Sequence, residues 1–168
     1  MKMETDRLLI RHMNEADEAA FVRGIADPSL RTAYGFPAEM DETVPPQIFH
    51  HFLGLENAFA LTEKGRGEMI GFLLDTDPEL PEDVQAGLPE NGHTLAFAVF
   101  PPRQRQGYMQ EALQAYIPYL FRNGGAGYIH CGHFTDNVPS REMLHKLEFR
   151  EYSRHALKNR IIVDEIHF

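Results

Sequence analysis

Residues 93–121, HTLAFAVFPPRQRQGYMQEALQAYIPYLF, decide the fold. The first eight form a largely apolar run that suits a strand, and Pro101-Pro102 ends it by removing two backbone donors from the sheet ladder. A polar loop, Arg103-Gln104-Arg105-Gln106-Gly107-Tyr108, follows. Met109, Ala112, Leu113, Tyr116, Ile117, Leu120 and Phe121 then recur at the three-and-four spacing of one buried helix face. Pro118 removes one bond from that helix, at a cost of ~3 kcal/mol unless the helix bends or a neighbour compensates. A strand feeding a helix in this way leaves several N–H groups unpaired at the helix start. Gly107 permits close approach there, and Arg103 and Arg105 add positive potential, so the loop suits an anion such as a diphosphate. A solvated connection with two surface arginines has the same local spelling, and spacing alone leaves both readings open.

Working outward, residues 5–13 (TDRLLIRHM) read as a first strand, and Asn14 with Asp17 caps a helix running to about Ala26, where Asp27-Pro28 stops it. The stretch with Tyr34, Gly35, Phe36 and Pro37 reads as loop until Pro45-Pro46 opens a second helix carrying Ile48, Phe52 and Leu55. Residues 58–62 and 69–74 form a strand pair across a glycine-bounded turn. The second of them, MIGFLL, is apolar on both faces, which calls for helices on either side of a central sheet. Residues 75–92 are acidic and proline-rich without periodicity and read as a long exposed loop. A strand over 127–134, a short helix over 138–146 and a terminal hairpin turning at Lys158-Asn159 complete the chain. The class is α/β (α+β), one domain over residues 1–168. Its central sheet is mixed and mostly antiparallel, of about seven strands, with about four helices on both faces.

Composition narrows the function. Of 168 residues, 43% are hydrophobic and 24% charged, an ordinary globular balance with a core of useful size. One cysteine, Cys131, excludes an internal disulfide. The charged start and the lack of a long apolar run argue against secretion or a membrane span, so a cytoplasmic location is expected. A net charge of -9 disfavours nucleic acid and weakly favours a cationic partner such as an amine. His130, Cys131 and His133 could ligate metal, but on a strand His130 points away from the other two, which leaves no four-ligand set. No metal is expected. Exposed edges of an open sheet make a homodimer a reasonable expectation.

The stretch from Gln104 to Met109, with Asn137, Ser140, Lys146, Leu147 and Phe149 downstream, resembles the GNAT superfamily of acyl-CoA-dependent N-acetyltransferases. Residues 4–13 (ETDRLLIRHM), the strand pair and TLAFAV before the loop make it similar, more narrowly, to the ribosomal-protein-alanine acetyltransferase branch. The resemblance covers nearly the whole chain in the same order. It implies acetyl-CoA as co-substrate and attack by a primary amine, of a peptide N-terminus or a small molecule, directly on the thioester. Gln104, Arg105, Gln106, Gly107, Tyr108 and Met109 would then form the diphosphate turn. The chain departs from the family at Met109, which fills a small-residue position, at Arg105, often glycine, and at Glu148, where glycine commonly precedes the phenylalanine.

The family places the thioester near a backbone N–H at Val99, which could equally be paired in the sheet. Ser140 is the candidate acid for the departing thiolate, or a first-turn hydroxyl bonding its own helix. Asn137 would bond the pantetheine arm or cap the helix that follows it. Relatives often carry a glutamate on the strand before the loop, and Thr94 stands there, so the base is sought in the adjacent His93, in Glu165 or in a water chain. Tyr34 and Phe36 fall where the family builds its acceptor site, or they pack. A non-catalytic acyl-CoA-binding sensor, or an interaction module on the same fold, is the alternative.

Overall fold

The structure is a computed structural model describing residues 1–168. In chain order it comprises β1 (Lys2–Glu4), β2 (Leu8–His12), α1 (Glu18–Gly24), α2 (Pro28–Tyr34), α3 (Val44–Leu53), β3 (Ala58–Glu63), β4 (Met69–Thr76) and α4 (Glu82–Gln85). Then come β5 (Gly92–Val99), α5 (Tyr108–Asn123), β6 (Tyr128–Phe134), α6 (Val138–Lys146), β7 (Arg150–Leu157) and β8 (Arg160–His167). Single 3-10 turns at Glu15–Asp17 and Pro101–Arg103 precede α1 and α5. The strand order is β1-β2-β3-β4-β5-β6-β8-β7. Only β5–β6 is parallel among the ladders with an assigned register; β1–β2, β2–β3, β3–β4, β6–β8 and β7–β8 are antiparallel.

The α/β class and the mixed, mostly antiparallel sheet are as expected, with eight strands where about seven were expected and six α-helices where about four were. Contacts within the chain define two compact units, Met1–Leu74 with Phe97–Ala112 and Asp75–Ala96 with Leu113–Phe168.

In the first unit, β1 pairs with β2 and β2 with β3, placing Ile10 opposite Leu61. Leu8, Ile10 and Leu61 are fully buried. Phe21 of α1 meets Phe49 and Phe52 of α3, Phe72 of β4 and Phe100, and Phe72 also meets Phe52 and Phe100, with ring centroids 5.3–6.3 Å apart. Such tilted and edge-on contacts add to the area that aromatic rings bury. The entry to α1 is held by Asp17, whose carboxylate accepts two bonds of 2.8 Å from Arg11 and one of 2.9 Å from the Asn14 amide. Gly71 of β4 is obligatory for a steric reason, because a Cβ there would lie 2.4 Å from the Ala98 carbonyl oxygen of β5.

Two expectations fail in this unit. The Asp27-Pro28 pair starts a helix instead of only ending one: Asp27 accepts from the Leu30 amide as N-cap and Pro28 fills the first helical position, so α2 occupies part of the stretch read as loop. The first strand is also two, with the polar Lys2–Glu4 adding an outer strand.

In the second unit, β6 lies between β5 and β8, and β7 pairs with β8 across the Lys158-Asn159 turn. The segment after β4 is not simply an exposed loop. Leu80 is buried with Tyr128 and Ile166, Val84 and Leu88 pack on the same cluster, and residues 82–85 form the short helix α4.

Helix α6 ends where Phe149 N–H bonds Leu144 O at 3.0 Å and Glu148 N–H bonds His145 O at 3.1 Å. Leu144 and Phe149 are fully buried, which completes the Schellman pattern. That pattern demands a left-handed residue, and Glu148 supplies it at φ 71°. Glu148→Gly is therefore expected to stabilise the protein by about 1 kcal/mol and to raise the thermal midpoint by about 2–4 °C. A lowered midpoint would show that the glutamate side chain contributes more than its backbone strain costs.

Candidate functional site

The first unit contains the proline-terminated strand and the turn. Phe100 N–H bonds Ile70 O, the Pro101–Arg103 turn follows, and Gln104 N–H closes it on Pro101 O at 3.2 Å. The backbone then alternates in hand: Arg105 has φ 61° and Gly107 φ 78°, with Gln106 between them outside the left-handed region. Successive amides in such an alternation converge on one side, a concavity suited to anions. The helical ladder begins with Glu111 N–H on Gly107 O at 3.0 Å, so the amides of Gly107, Tyr108, Met109 and Gln110 precede the first intrahelical donor. The helix dipole adds positive potential at the same end.

Side chains around the turn sort themselves by burial. Tyr108 and Met109 are 9% and 7% exposed, so they face inward and offer backbone, not side chain, to a ligand. Met109 therefore does not block the outer side of the turn despite filling a small-residue position. Gln104 turns back to donate to the Val99 carbonyl oxygen at 2.9 Å. Arg103 does not contribute the free charge expected of it, because its Nε bonds Glu63. Arg105 and Gln106 are exposed.

In the second unit Asn137 caps α6, its Oδ1 accepting from Ser140 N–H at 3.3 Å. Ser140 is half-buried in the first turn of that helix. His93 is better placed than a solvated strand-end histidine. Its Nδ1 lies 2.7 Å from Oδ1 of Asp75, and Oδ2 of Asp75 accepts from the Tyr116 hydroxyl at 2.7 Å. Asp75 is 6% exposed. A buried carboxylate that accepts a hydrogen bond from Nδ1–H fixes the tautomer and leaves Nε2 without a proton. Burial, and then the Asp75 carboxylate, push the Tyr116 hydroxyl well above the usual tyrosine range, so it remains a donor.

The remaining polar groups form two buried clusters. Thr94 accepts from Glu79 N–H and meets His130 Nδ1 at 2.9 Å, and His130 Nε2 meets Asp164 Oδ1 at 2.9 Å. Asp164 also receives Ser153 and His155. Burial pushes its carboxyl up, but the bonds from His130 and His155 outweigh that and hold it below the ordinary range. Glu165 is fully buried, and its Oε1 lies 3.0 Å from His133 Nε2 and 2.8 Å from His145 Nε2. Burial, and then Glu165, push the Cys131 thiol up, so it is no nucleophile.

Asp75, Tyr116 and the His130–Asp164 cluster were missed by sequence reasoning. The partners lie 18 to 41 positions apart, and no local spacing announces them.

A proline-terminated strand, a turn of alternating hand and a helix opening on unpaired amides define an α/β protein with an anion-receptive helix start. The acetyltransferase (GNAT) domain profile matches residues 7–150, and the chain belongs to that family. It is 25% identical over 152 residues to an uncharacterised N-acetyltransferase, YoaA, of Bacillus subtilis, covering 89% of this chain and 82% of that protein. Its fold is that of a GNAT-family acetyltransferase from Bacillus anthracis, with a TM-score of 0.83 at 17% identity over 99% of this chain and 98% of the other. It is also that of the ribosomal-protein-S5-alanine acetyltransferase from Vibrio fischeri, with a TM-score of 0.71 at 13% identity over 99% and 96%. No helix is long and apolar enough to cross a membrane.

Proposed function

We propose that residues 1–168 act as a single N-acetyltransferase domain that moves an acetyl group from acetyl-CoA to a primary amine, of a peptide N-terminus or a small molecule. The observation that carries this reading is the turn Arg105–Gly107, whose alternating hand gathers amides at the start of α5 in a chain of the GNAT family. Those amides fit a diphosphate, and Asn137 keeps its Nδ2 for the pantetheine arm while Oδ1 caps α6. Membership of the family supports acetyl-CoA as donor, and the net charge of -9 supports a cationic acceptor.

His93 is assigned as the base in preference to Glu165, because Glu165 is fully buried with one oxygen already facing two histidines. His93 stands six residues and about 20 Å along β5 from Val99, so it would receive the proton of the attacking amine through a chain of waters, with Asp75 holding the ring. Val99 lies at the end of β5, and its N–H is the assigned donor to the carbonyl oxygen as charge develops there. Ser140 supplies a proton to the sulfur as the carbon–sulfur bond breaks.

The test is a thiol-release assay with acetyl-CoA and a panel of peptides and small amines. CoA release stimulated by an amine is expected. Calorimetric binding of CoA without stimulated release would favour a sensor, and no heat with CoA would leave an interaction module.

A further inference from the structure

Anion capture requires the turn to hold its shape before the ligand arrives, and a side chain far away in sequence supplies the restraint. Arg7 stands just before β2. Its Nη1 donates to the Gln106 carbonyl oxygen at 2.9 Å and its Nε to Glu111 Oε2 at 2.6 Å. The Arg7 amide donates to Glu111 Oε1 at 2.8 Å, and the same oxygen accepts from the Thr5 hydroxyl at 2.6 Å. The guanidinium also lies 4.2 Å from the centre of the Tyr108 ring. One side chain thus grips the residue before Gly107, the residue after it and the carboxylate one turn into α5.

The peptide joining Gln106 to Gly107 is planar and trans, so its C=O and N–H point in opposite directions. Holding the carbonyl toward Arg7 therefore turns the Gly107 N–H to the opposite side. Burial pushes the Glu111 carboxyl up, but the bonds from Thr5, the Arg7 amide and the Arg7 guanidinium outweigh it and hold the group below the ordinary carboxylate range. The clamp is accordingly complete at neutral pH. Its contribution is present above the unfolded carboxylate pKa and is lost as pH falls through the lower folded value.

We infer that Arg7 is the positioning residue of the phosphate turn, acting through Gln106 and Glu111 rather than on the reacting atoms. The inference rests on the reading that this turn receives the diphosphate of acetyl-CoA. A lysine keeps the charge but cannot present the fork that reaches Gln106 and Glu111 together.

The experiment compares acetyl-CoA with S-acetylpantetheine, which lacks the diphosphate, as donors for the full chain and for Arg7→Gln, Arg7→Lys and Glu111→Gln. The ratio of kcat/KM for acetyl-CoA to that for S-acetylpantetheine is expected to fall at least about tenfold in both Arg7 variants, mainly through KM for acetyl-CoA. Glu111→Gln should shift the ratio in the same direction. A structural role alone would lower both donors alike and leave the ratio unmoved, which overturns the inference. Full recovery in Arg7→Lys also overturns it, since charge would then suffice. Should Arg7→Gln fail to fold, the lysine and Glu111 variants carry the comparison. A wild-type protein with no preference for acetyl-CoA removes the functional reading itself and the clamp with it, whereas a wild-type preference that persists in the variants removes only the clamp.

Discussion

Gly107→Trp is expected to weaken CoA binding by at least about a hundredfold while the protein stays folded. At φ 78° any L-residue is strained by about 1–2 kcal/mol, which a domain of this size tolerates. Space is not the obstacle at the first carbon, because the nearest atom to a Cβ there would be Arg7 Nη2 at 3.5 Å. The indole beyond it is the obstacle, since it would cover the amides that begin α5. Losing two charge-assisted bonds at roughly 1.5–3 kcal/mol each accounts for the loss. Titration calorimetry with CoA, alongside a thermal melt, reads both quantities. Unchanged affinity in a folded variant would remove the turn from the binding site.

Asp75→Asn is expected to lower kcat by about 10²–10⁴ with little change in KM for acetyl-CoA. The Tyr116 hydroxyl can still donate to the asparagine oxygen, so the buried pocket keeps that partner. The amide nitrogen then faces Nδ1 of His93 as a donor, and the ring must accept there and carry its proton on Nε2. An imidazole in that tautomer cannot take the proton of an amine. His93→Gln should reproduce the loss, because it removes the imidazole that Asp75 orients. A full rate in both variants would return the proton to water or to the amine itself.

The turn was legible because its signal is local: two prolines, a polar run, a glycine and an apolar helix face lie within a single stretch. Helix α6 and the β7–β8 hairpin were legible for the same reason. Glu148 was marked as a departure from glycine, and it takes the left-handed conformation that a glycine would hold more cheaply.

Helix α2 was missed because aspartate before proline can close one helix or open the next. Only the bond from Leu30 to Asp27 distinguishes the two. Strand β1 escaped notice because three residues are too few to show a period, although Met3 does alternate with the exposed Lys2 and Glu4. Leu80, Val84 and Leu88 recur four residues apart, but the acidic residues and prolines around them hid the apolar face that packs with Tyr128 and Ile166.

The partners of the candidate residues were not legible in the sequence. Arg103 promised free charge and is paired with Glu63, 40 positions away. His93 looked like a solvated strand end until Asp75 and Tyr116 were placed around its Nδ1 side. Arg7 lies 99 positions from the carbonyl it holds. Such contacts follow from the register of a folded sheet, which local composition does not encode.

A crystal structure of the CoA complex decides whether the amides beginning α5 receive a diphosphate. Diphosphate oxygens about 2.7–3.2 Å from the N–H groups of Gly107, Tyr108 and Met109, with Arg7 still on the Gln106 carbonyl, are predicted. CoA bound elsewhere, or a turn whose amides face away from its phosphates, would contradict the account.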